Sequence, residues 1–275
     1  MNITSPHGFR ERFLLMGGGG AGKTTAALSM IDASGQHADV IDLDYSQAWE
    51  RGIALDFPSC EDRVHVHSVL PDWSDFIDVL EKLVDEHGDD KSQWLVIDSV
   101  SPTWELVQSW YIGIAVGTDL GQHMAELRRD SNTLKEYQAS IVETMNWPAV
   151  KKEYGRLWRA IMSWKGHLIL TAEVKAMKGE KDQEVLALYG QLGYKPVGEA
   201  RLHHVTSSTF FLSHDSRGYK YTTVKDRGRE DQEGEDIAAI DDGGFAQSYL
   251  RDVAGWKLDR SKKQVQLTVD EDGEA

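Results

Sequence analysis

The chain has 275 residues, 40% of them hydrophobic, a net charge of −15 and a single cysteine, Cys60. This length suits one α/β domain with a small appendage, and one cysteine excludes an internal disulfide framework. The net negative charge argues against a generally basic surface that coats nucleic acid. No apolar run approaches the about 18 residues of a membrane span, and the N-terminus lacks a secretory cleavage site. We therefore expect a soluble cytoplasmic protein that has no membrane partner.

Apolar runs bounded by turn residues predict buried strands of a mainly parallel sheet, at Phe13–Met16, Ala38–Leu43, Trp94–Asp98 and His167–Ala172. Two later runs, Ser208–Ser213 and Tyr219–Lys225, predict a hairpin with Gly218 in its turn. Helical spacing predicts helices over Lys23–Ser34 and Trp73–His87, through most of residues 102–164 and, more briefly, over Phe245–Val253. The predicted fold class is therefore α/β, with a mainly parallel central sheet flanked by helices and a C-terminal β-hairpin.

The strongest motif follows the first predicted strand and has the form G-x-x-x-x-G-K-[ST]. Its glycines let successive backbone N–H groups converge on phosphate oxygens, and the helix that follows adds the positive end of its dipole. We expect ATP as the bound nucleotide, with Lys23 on the β- and γ-phosphates, the Thr24 hydroxyl on Mg²⁺ and Thr25 near the α-phosphate. The predicted nucleotide-binding residues are Gly17, Gly18, Gly19, Gly20, Ala21, Gly22, Lys23, Thr24 and Thr25.

Asp98 closes the strand run LVID. A carboxylate at the tip of a buried strand beside a phosphate loop holds Mg²⁺ in P-loop NTPases. We therefore predict Thr24 and Asp98 as the metal-binding residues.

Several further segments resemble, in order and spacing, the core of the RecA-type recombinases. The run Val40–Asp44 resembles the strand that ends in the acid activating the attacking water, although that acid is usually Glu and here is Asp44. The run Val96–Val100 resembles the strand that carries the magnesium acid, and Leu170–Glu173 the strand that ends in a γ-phosphate sensor, commonly Gln and here Glu173. The resemblance implies that Asp44, with Glu173 as the alternative, is the catalytic base.

Two more segments extend the resemblance, which covers residues 10–230. Residues 174–195, with Lys175, Lys178 and Lys181, match the position of a second DNA-binding loop. The run Val224–Gly228 resembles the K-x-R element that points at the γ-phosphate of a neighbouring subunit, which implies a catalytic role in trans for Lys225 and Arg227.

The overall pattern is similar to small phage-encoded RecA-like ATPases that accompany single-strand annealing and recombination. That likeness implies a DNA-stimulated ATPase that assembles into a filament or ring on single-stranded DNA in the host cytoplasm, with a phage annealing or single-strand-binding protein as a partner. Two alternatives stay open: a hexameric motor of the DnaB or KaiC type, and a non-motor P-loop protein such as a nucleotide-gated interaction partner or a small kinase.

Charge is unevenly distributed along the chain. Residues 149–229 contain 15 Lys or Arg and 8 Asp or Glu, a charge of +7 that leaves −22 on the remainder. A local basic stretch of this kind can contact nucleic-acid phosphates, and an ordinary solvated surface explains it equally well. Residues 230–242 hold seven acids and no Lys or Arg, and the chain ends in the acidic run DEDGEA. We therefore expect an ATPase core at residues 1–229 and a partly disordered acidic extension at residues 230–275.

Overall fold

The computed structural model describes residues 3–4, 10–198, 202–216, 218–227, 236–238 and 244–258. Its central sheet has eight strands in the order β11-β10-β9-β2-β6-β5-β3-β4. The strands of this sheet are β2 (Arg12–Gly17), β3 (Ala38–Asp42), β4 (Val64–Ser68), β5 (Trp94–Asp98), β6 (His167–Ala172), β9 (Ser208–Asp215), β10 (Gly218–Asp226) and β11 (Asp236–Ala238). The six strands from β9 to β4 are parallel, whereas β10 runs antiparallel to β9 and to β11. The predicted fold class is confirmed, and Gly218 supplies the positive φ of 110° at the hairpin turn.

Two short pairs of strands lie outside this sheet. β1 (Ile3–Thr4) pairs with β12 (Lys257–Leu258), and β7 (Val174–Ala176) pairs with β8 (Tyr194–Pro196), both antiparallel.

Helices cover both faces of the sheet. The helices are α1 (Lys23–Ser34), α2 (Ala48–Leu55), α3 (Trp73–His87), α4 (Thr103–Ala115), α5 (Leu120–Asp130), α6 (Leu134–Thr144), α7 (Trp147–Ser163), α8 (Gln183–Tyr189) and α9 (Leu202–Val205). The helices predicted over Lys23–Ser34 and Trp73–His87 are confirmed as α1 and α3, and so is the largely helical stretch of residues 102–164. None of the helices in the described part of the chain is long and apolar enough to cross a membrane.

Alternation along the strands divides the core into two layers. On β2, Leu14 and Met16 join a cluster with α3, α4 and α7, whereas Phe13 and Leu15 join a second cluster with α1. This alternation follows from the two-residue period of a strand and explains why the parallel strands read as unbroken apolar runs, since both faces are buried.

The segment after β11 packs into the second core layer. Residues predicted as a helix over Phe245–Val253 form a π-helix at Ala246–Arg251, and Phe245, Tyr249 and Trp256 are buried. The Tyr249 hydroxyl donates a hydrogen bond of 2.7 Å to Asp226 Oδ2. The division of the chain at residue 229 stays a prediction, because most of residues 228–243 and all of the tail after residue 258 lie outside the described residues.

The sequence patterns missed β4, α2 and the elements inside residues 174–195. The run VHVHS of β4 carries too few apolar residues to stand out, and it forms a strand because it pairs along its whole length with β3. Residues 174–195, predicted as a loop, contain β7, α8 and the start of β8. Helix α8 begins at Asp182, whose carboxylate accepts hydrogen bonds from the backbone N–H groups of Glu184 and Val185.

Candidate phosphate-binding and catalytic site

The glycine motif joins the carboxyl end of β2 to the N-terminus of α1. Gly20 and Gly22 have φ values of 72° and 86°, which only glycine adopts at little cost. A Cβ on Gly17 would lie 2.5 Å from the Leu212 carbonyl oxygen on β9. Only glycine therefore fits at this position. A Cβ on Gly18, Gly19 or Gly20 would meet nothing within 4 Å, so the loop leaves open space above its backbone.

The N-terminus of α1 is suited to an anion. Its cap residue, Gly22, has no side chain to accept from the free N–H groups of the first turn, so those groups remain available to phosphate oxygens. The Lys23 ammonium donates hydrogen bonds of 3.0 and 3.1 Å to the carbonyl oxygens of Gly17 and Gly18, which holds its charge over the loop. Thr25 is exposed in the same turn. These features fit the polyphosphate of a nucleotide.

Asp98 lies at the end of β5 in the middle of this edge of the sheet. The Thr24 hydroxyl donates to Asp98 Oδ2 at 3.2 Å, so the two predicted magnesium ligands are adjacent. The same Oδ2 accepts a 2.7 Å hydrogen bond from the indole N–H of Trp49, and Oδ1 accepts one from the Thr171 hydroxyl. Hydroxyl and carboxylate oxygens are the ligand type that Mg²⁺ prefers, so the pair fits that ion.

Asp44 follows β3, the strand next to β5. Partial burial at the rim of the site, followed by the negative charges of Asp98 and Asp42, raises the pKa of Asp44 to about 6. The nearby Lys23 ammonium opposes this shift, and Glu173 adds to it. The Asp44 side chain nevertheless remains accessible to solvent. A carboxylate with a pKa near the working pH and access to water has the properties of a general base.

The loop that presents Asp44 is held in an unusual conformation. Tyr45 and Gln47 have φ values of 51° and 53°, in the left-handed region that disfavours side chains. The Asp42 carboxylate accepts a 2.9 Å hydrogen bond from the Asp44 backbone N–H, and burial together with the charge of Asp98 raises the pKa of Asp42. The loop ends at Trp49, which returns to Asp98.

Glu173, the second candidate base, follows β6 on the other side of β5. Its side chain is exposed, while its backbone N–H donates to the Ser101 hydroxyl at 2.8 Å. Lys23, Asp44, Asp98 and Glu173 therefore meet at the carboxyl edge of the sheet, as parallel strands require.

Lys225 and Arg227 lie at the opposite, amino edge. Arg227 N–H donates to the Ser207 carbonyl at 3.1 Å, and Ser207 N–H donates to the Arg12 carbonyl at 2.8 Å. Arg227 thus lies beside Arg12, which precedes Gly17 by five residues. At 3.3 Å per residue, Arg227 is about 16 Å along β2 from the start of the phosphate loop. The β10 strand therefore carries this pair away from the phosphate loop of its own chain.

Lys225 and Arg227 both line one cleft, whereas Asp226 between them is buried on the other face of β10. The Lys225 ammonium donates to the carbonyl oxygens of His203 and Thr206, the latter at 3.0 Å, and Arg227 is exposed. Lys225 is therefore engaged with its own chain in this structure, and Arg227 is the more accessible of the two.

The lysines of residues 174–195 lie on a ribbon beyond β6. Lys175, Lys178 and Lys181 are exposed. Lys195, on the returning strand β8, instead forms an ion pair with Glu180. The ammonium groups of Lys175, Lys178 and Lys181 are therefore accessible to solvent along one short segment.

Sequence patterns did not identify three residues of the site. β3 and β6 are the two neighbours of β5 in the sheet; Trp49 reaches Asp98 from α2, which follows β3, and Thr171 reaches it from β6. Tyr219 is the second residue of β10. Its ring would lie 3.1 Å from a Cβ on Gly22, and it stacks on His214 with 4.3 Å between the ring centroids. No local motif marks these three positions.

Comparison with known proteins gives one family match. The AAA domain family matches residues 10–198, which include the phosphate loop, Asp44, Asp98 and Glu173. The sequence matches no curated protein.

Solved structures also match the chain at low similarity, and two of them are the following. One is the crystal structure of the RadB recombinase, at 15% identity and a TM-score of 0.45, covering 82% of this chain and 85% of that chain. The other is a prototypical ATPase from the type III secretion system of pathogenic bacteria, at 14% identity and a TM-score of 0.42, covering 74% of this chain and 52% of that chain. These identities and TM-scores are too low to assign a family. The family match and the geometry of the phosphate loop agree, however: the chain belongs to the AAA domain family and is a P-loop NTPase.

Proposed function

We propose that the protein hydrolyses ATP and does so as an assembly on single-stranded DNA, in which each subunit completes the site of its neighbour. The observation that carries this proposal is the division of the predicted catalytic residues between two edges of the sheet. Lys23, Asp44 and Asp98 lie at the carboxyl edge, whereas Lys225 and Arg227 lie at the amino edge. Residues that serve one reaction from opposite edges can meet only between two copies of the chain.

Within one subunit, each residue of the carboxyl edge has a separate task. The loop N–H groups and Lys23 bind and neutralise the phosphates, and Thr24 and Asp98 would hold Mg²⁺, which when bound neutralises charge on the β- and γ-phosphate oxygens. Asp44 orients the attacking water and accepts its proton, which its raised pKa allows near neutral pH. Glu173 is the alternative base.

The neighbouring subunit supplies the remaining positive charge. Arg227, and Lys225 if it leaves its own carbonyl partners, would stabilise charge on the transferred phosphoryl group. A finger of this kind contributes a factor of about 10³ or more to the rate. An isolated subunit is then a poor ATPase, and assembly on DNA switches it on.

The DNA contact that we propose is the ribbon carrying Lys175, Lys178 and Lys181. Its location beside β6 and Glu173 connects a DNA-binding surface with the catalytic edge through a few residues of chain. The biological setting we propose, phage recombination, annealing or replication with an annealing or single-strand-binding partner, rests on the sequence resemblance.

The ATPase rate with and without single-stranded DNA tests the function. We expect stimulation by DNA in the wild type and no hydrolysis in Lys23→Ala, with Lys135→Ala, an exposed lysine on α6, as the control. Hydrolysis that DNA does not change would favour the non-motor alternative, and preformed hexamers without DNA in electron micrographs would favour the motor.

Charge reversal tests the DNA surface. Changing Lys175, Lys178 and Lys181 to Glu should weaken single-strand binding and flatten its salt dependence, because fewer counterions are released. The same change at Lys135, Lys151 and Lys152, which are also exposed, alters the net charge equally and serves as the control. Equal effects of the two triple variants would remove the ribbon from the proposal.

A further inference from the structure

Glu184, His203 and His204 form a compact group of possible metal ligands far from the phosphate loop. The Nε2 atoms of His203 and His204 lie 3.3 and 3.5 Å from the same oxygen, Glu184 Oε1. One ligand atom from each of the three residues lies within 4.8 Å of the others, and no other such group of three His, Cys, Asp or Glu side chains occurs in the described part of the chain.

The separations fit metal coordination, although the 3.3 Å contact between His203 Nε2 and Glu184 Oε1 is also a long hydrogen bond. Zinc binds imidazole nitrogen and carboxylate oxygen at about 2.0–2.2 Å, and a tetrahedral angle then separates two ligand atoms by about 3.3–3.5 Å. An N–H···O hydrogen bond is usually shorter, about 2.7–3.2 Å. Both histidine nitrogens therefore already stand at the spacing of a tetrahedral edge from the carboxylate oxygen.

The fold holds the two histidines in place before any ion arrives. His203 is 6% exposed, its ring packs edge-on against Tyr189, and the ring centroids of His203 and His204 lie 4.2 Å apart. The Lys225 ammonium binds the His203 carbonyl oxygen, which fixes the backbone of α9. Glu184 is exposed in the first turn of α8, where it can adjust to a ligand.

The set of donors selects a class of ion. Two imidazoles and one carboxylate suit Zn²⁺ and its neighbours in the first transition series, whereas Mg²⁺ and Ca²⁺ prefer oxygen ligands alone. We propose that Glu184, His203 and His204 bind a zinc-class divalent cation that fastens α8 to α9. Three protein ligands leave one tetrahedral position open, toward the cleft that Lys225 and Arg227 also line.

That neighbourhood determines what the open position accepts. The cleft has a volume of about 320 Å³ and presents the side chains of Lys225 and Arg227, whose positive charges favour an anion at the open position. A water molecule or a small anion therefore completes the coordination. The bound ion links α8, which is part of the proposed DNA ribbon, to α9, whose His203 carbonyl oxygen accepts a hydrogen bond from Lys225 on β10.

Zinc titration of tag-free, chelator-treated protein, without nucleotide or Mg²⁺, tests the proposal independently of any ATPase activity. We expect one equivalent of Zn²⁺ to bind, and the affinity to fall about 100-fold or more in His204→Asn and in Glu184→Gln, since even the loss of an outer partner of a ligand costs up to about 100-fold. Both residues are exposed, so neither substitution should unfold the chain. His65→Asn, an exposed histidine on β4, is the matched control and should bind as the wild type does.

Cobalt provides a second measurement. Co²⁺ in a tetrahedral site gives strong visible absorption, which we expect in the wild type and in His65→Asn but not in His204→Asn. Absence of stoichiometric binding in the wild type would overturn the proposal and leave the cluster as a set of ion pairs. Binding that both His204→Asn and Glu184→Gln retain would overturn it equally.

Discussion

The indole N–H of Trp49 donates a 2.7 Å hydrogen bond to Asp98 Oδ2, the oxygen that also accepts from Thr24. Trp49 is fully buried at the start of α2, directly after the loop that presents Asp44. One side chain thus joins the segment of the candidate base to the carboxylate predicted to hold Mg²⁺. The bond fixes the orientation of Asp98 and couples it to the position of Asp44.

Phenylalanine at position 49 removes the hydrogen bond to Asp98 and keeps an aromatic ring in the buried position. In Trp49→Phe we expect ATP hydrolysis to slow about tenfold and to need more Mg²⁺, because a hydrogen bond to a charged group contributes about 1.5–3 kcal/mol. Steady-state rates over a range of Mg²⁺ concentrations measure both effects. Trp94→Phe is the control, since it removes a buried indole bond of 3.1 Å to Ser34 Oγ without touching Asp98. Equal loss of activity in the two variants would show a general packing effect.

The raised pKa of Asp44 predicts how the rate depends on pH. A carboxylate must be ionised to accept a proton, so kcat/KM should fall about tenfold for each pH unit below about 6. Asp44→Asn should bind nucleotide normally, turn over slowly and lose this acid limb. Glu173→Gln is the matched variant at the same site. If the fall of kcat/KM at low pH disappears in Glu173→Gln and persists in Asp44→Asn, Glu173 is the base.

The placement of Arg227 at the amino edge predicts complementation between subunits. Arg227→Ala should bind ATP normally and hydrolyse it about 10²–10³-fold more slowly, because its own phosphate loop is intact. Mixing Arg227→Ala with Lys23→Ala should restore part of the activity, since some interfaces then combine an intact loop with an intact arginine. ATPase activity measured over a series of mixing ratios on single-stranded DNA tests whether Arg227 acts in trans. No recovery at any ratio would contradict a role in trans.

Asp39, on β3, should contribute to stability rather than to catalysis. Burial opposes its ionisation, but hydrogen bonds from His67, His87 and Gln93 outweigh burial and lower its pKa. Asp39→Asn should therefore cost about 2 kcal/mol of unfolding free energy at pH 7. Urea unfolding measures this loss, with Asp62→Asn, an exposed aspartate, as the control.

The same experiment has a pH dependence with a defined sign. Because the folded-state pKa of Asp39 lies below the ordinary value of about 3.9, its stabilisation is present above that pH and is lost as the pH falls through the folded-state pKa. The difference between wild type and Asp39→Asn should therefore shrink below about pH 4. A difference that stays constant into acid would assign the effect to packing.

The sequence determined the parts of this protein whose physics is local. A glycine-rich run between an apolar strand and a helix has few conformations other than a phosphate loop, so Gly17–Thr24 and α1 were predicted with their bounds. The apolar runs that became β5 and β6 were equally clear, because strands buried on both faces leave no polar residues to obscure them. Asp98 followed as the polar end of such a strand.

Only the tertiary structure decided which distant residues meet. Trp49, Thr171 and Tyr219 reach the site across strand neighbours that are far apart in sequence, and no spacing rule indicates such contacts. The K-x-R pattern suggested a γ-phosphate contact, but only the antiparallel direction of β10 places Arg227 at the edge opposite its own loop. Glu184 and the two histidines likewise meet because α8 and α9 both pack near the end of β10, and the sequence alone does not fix that packing.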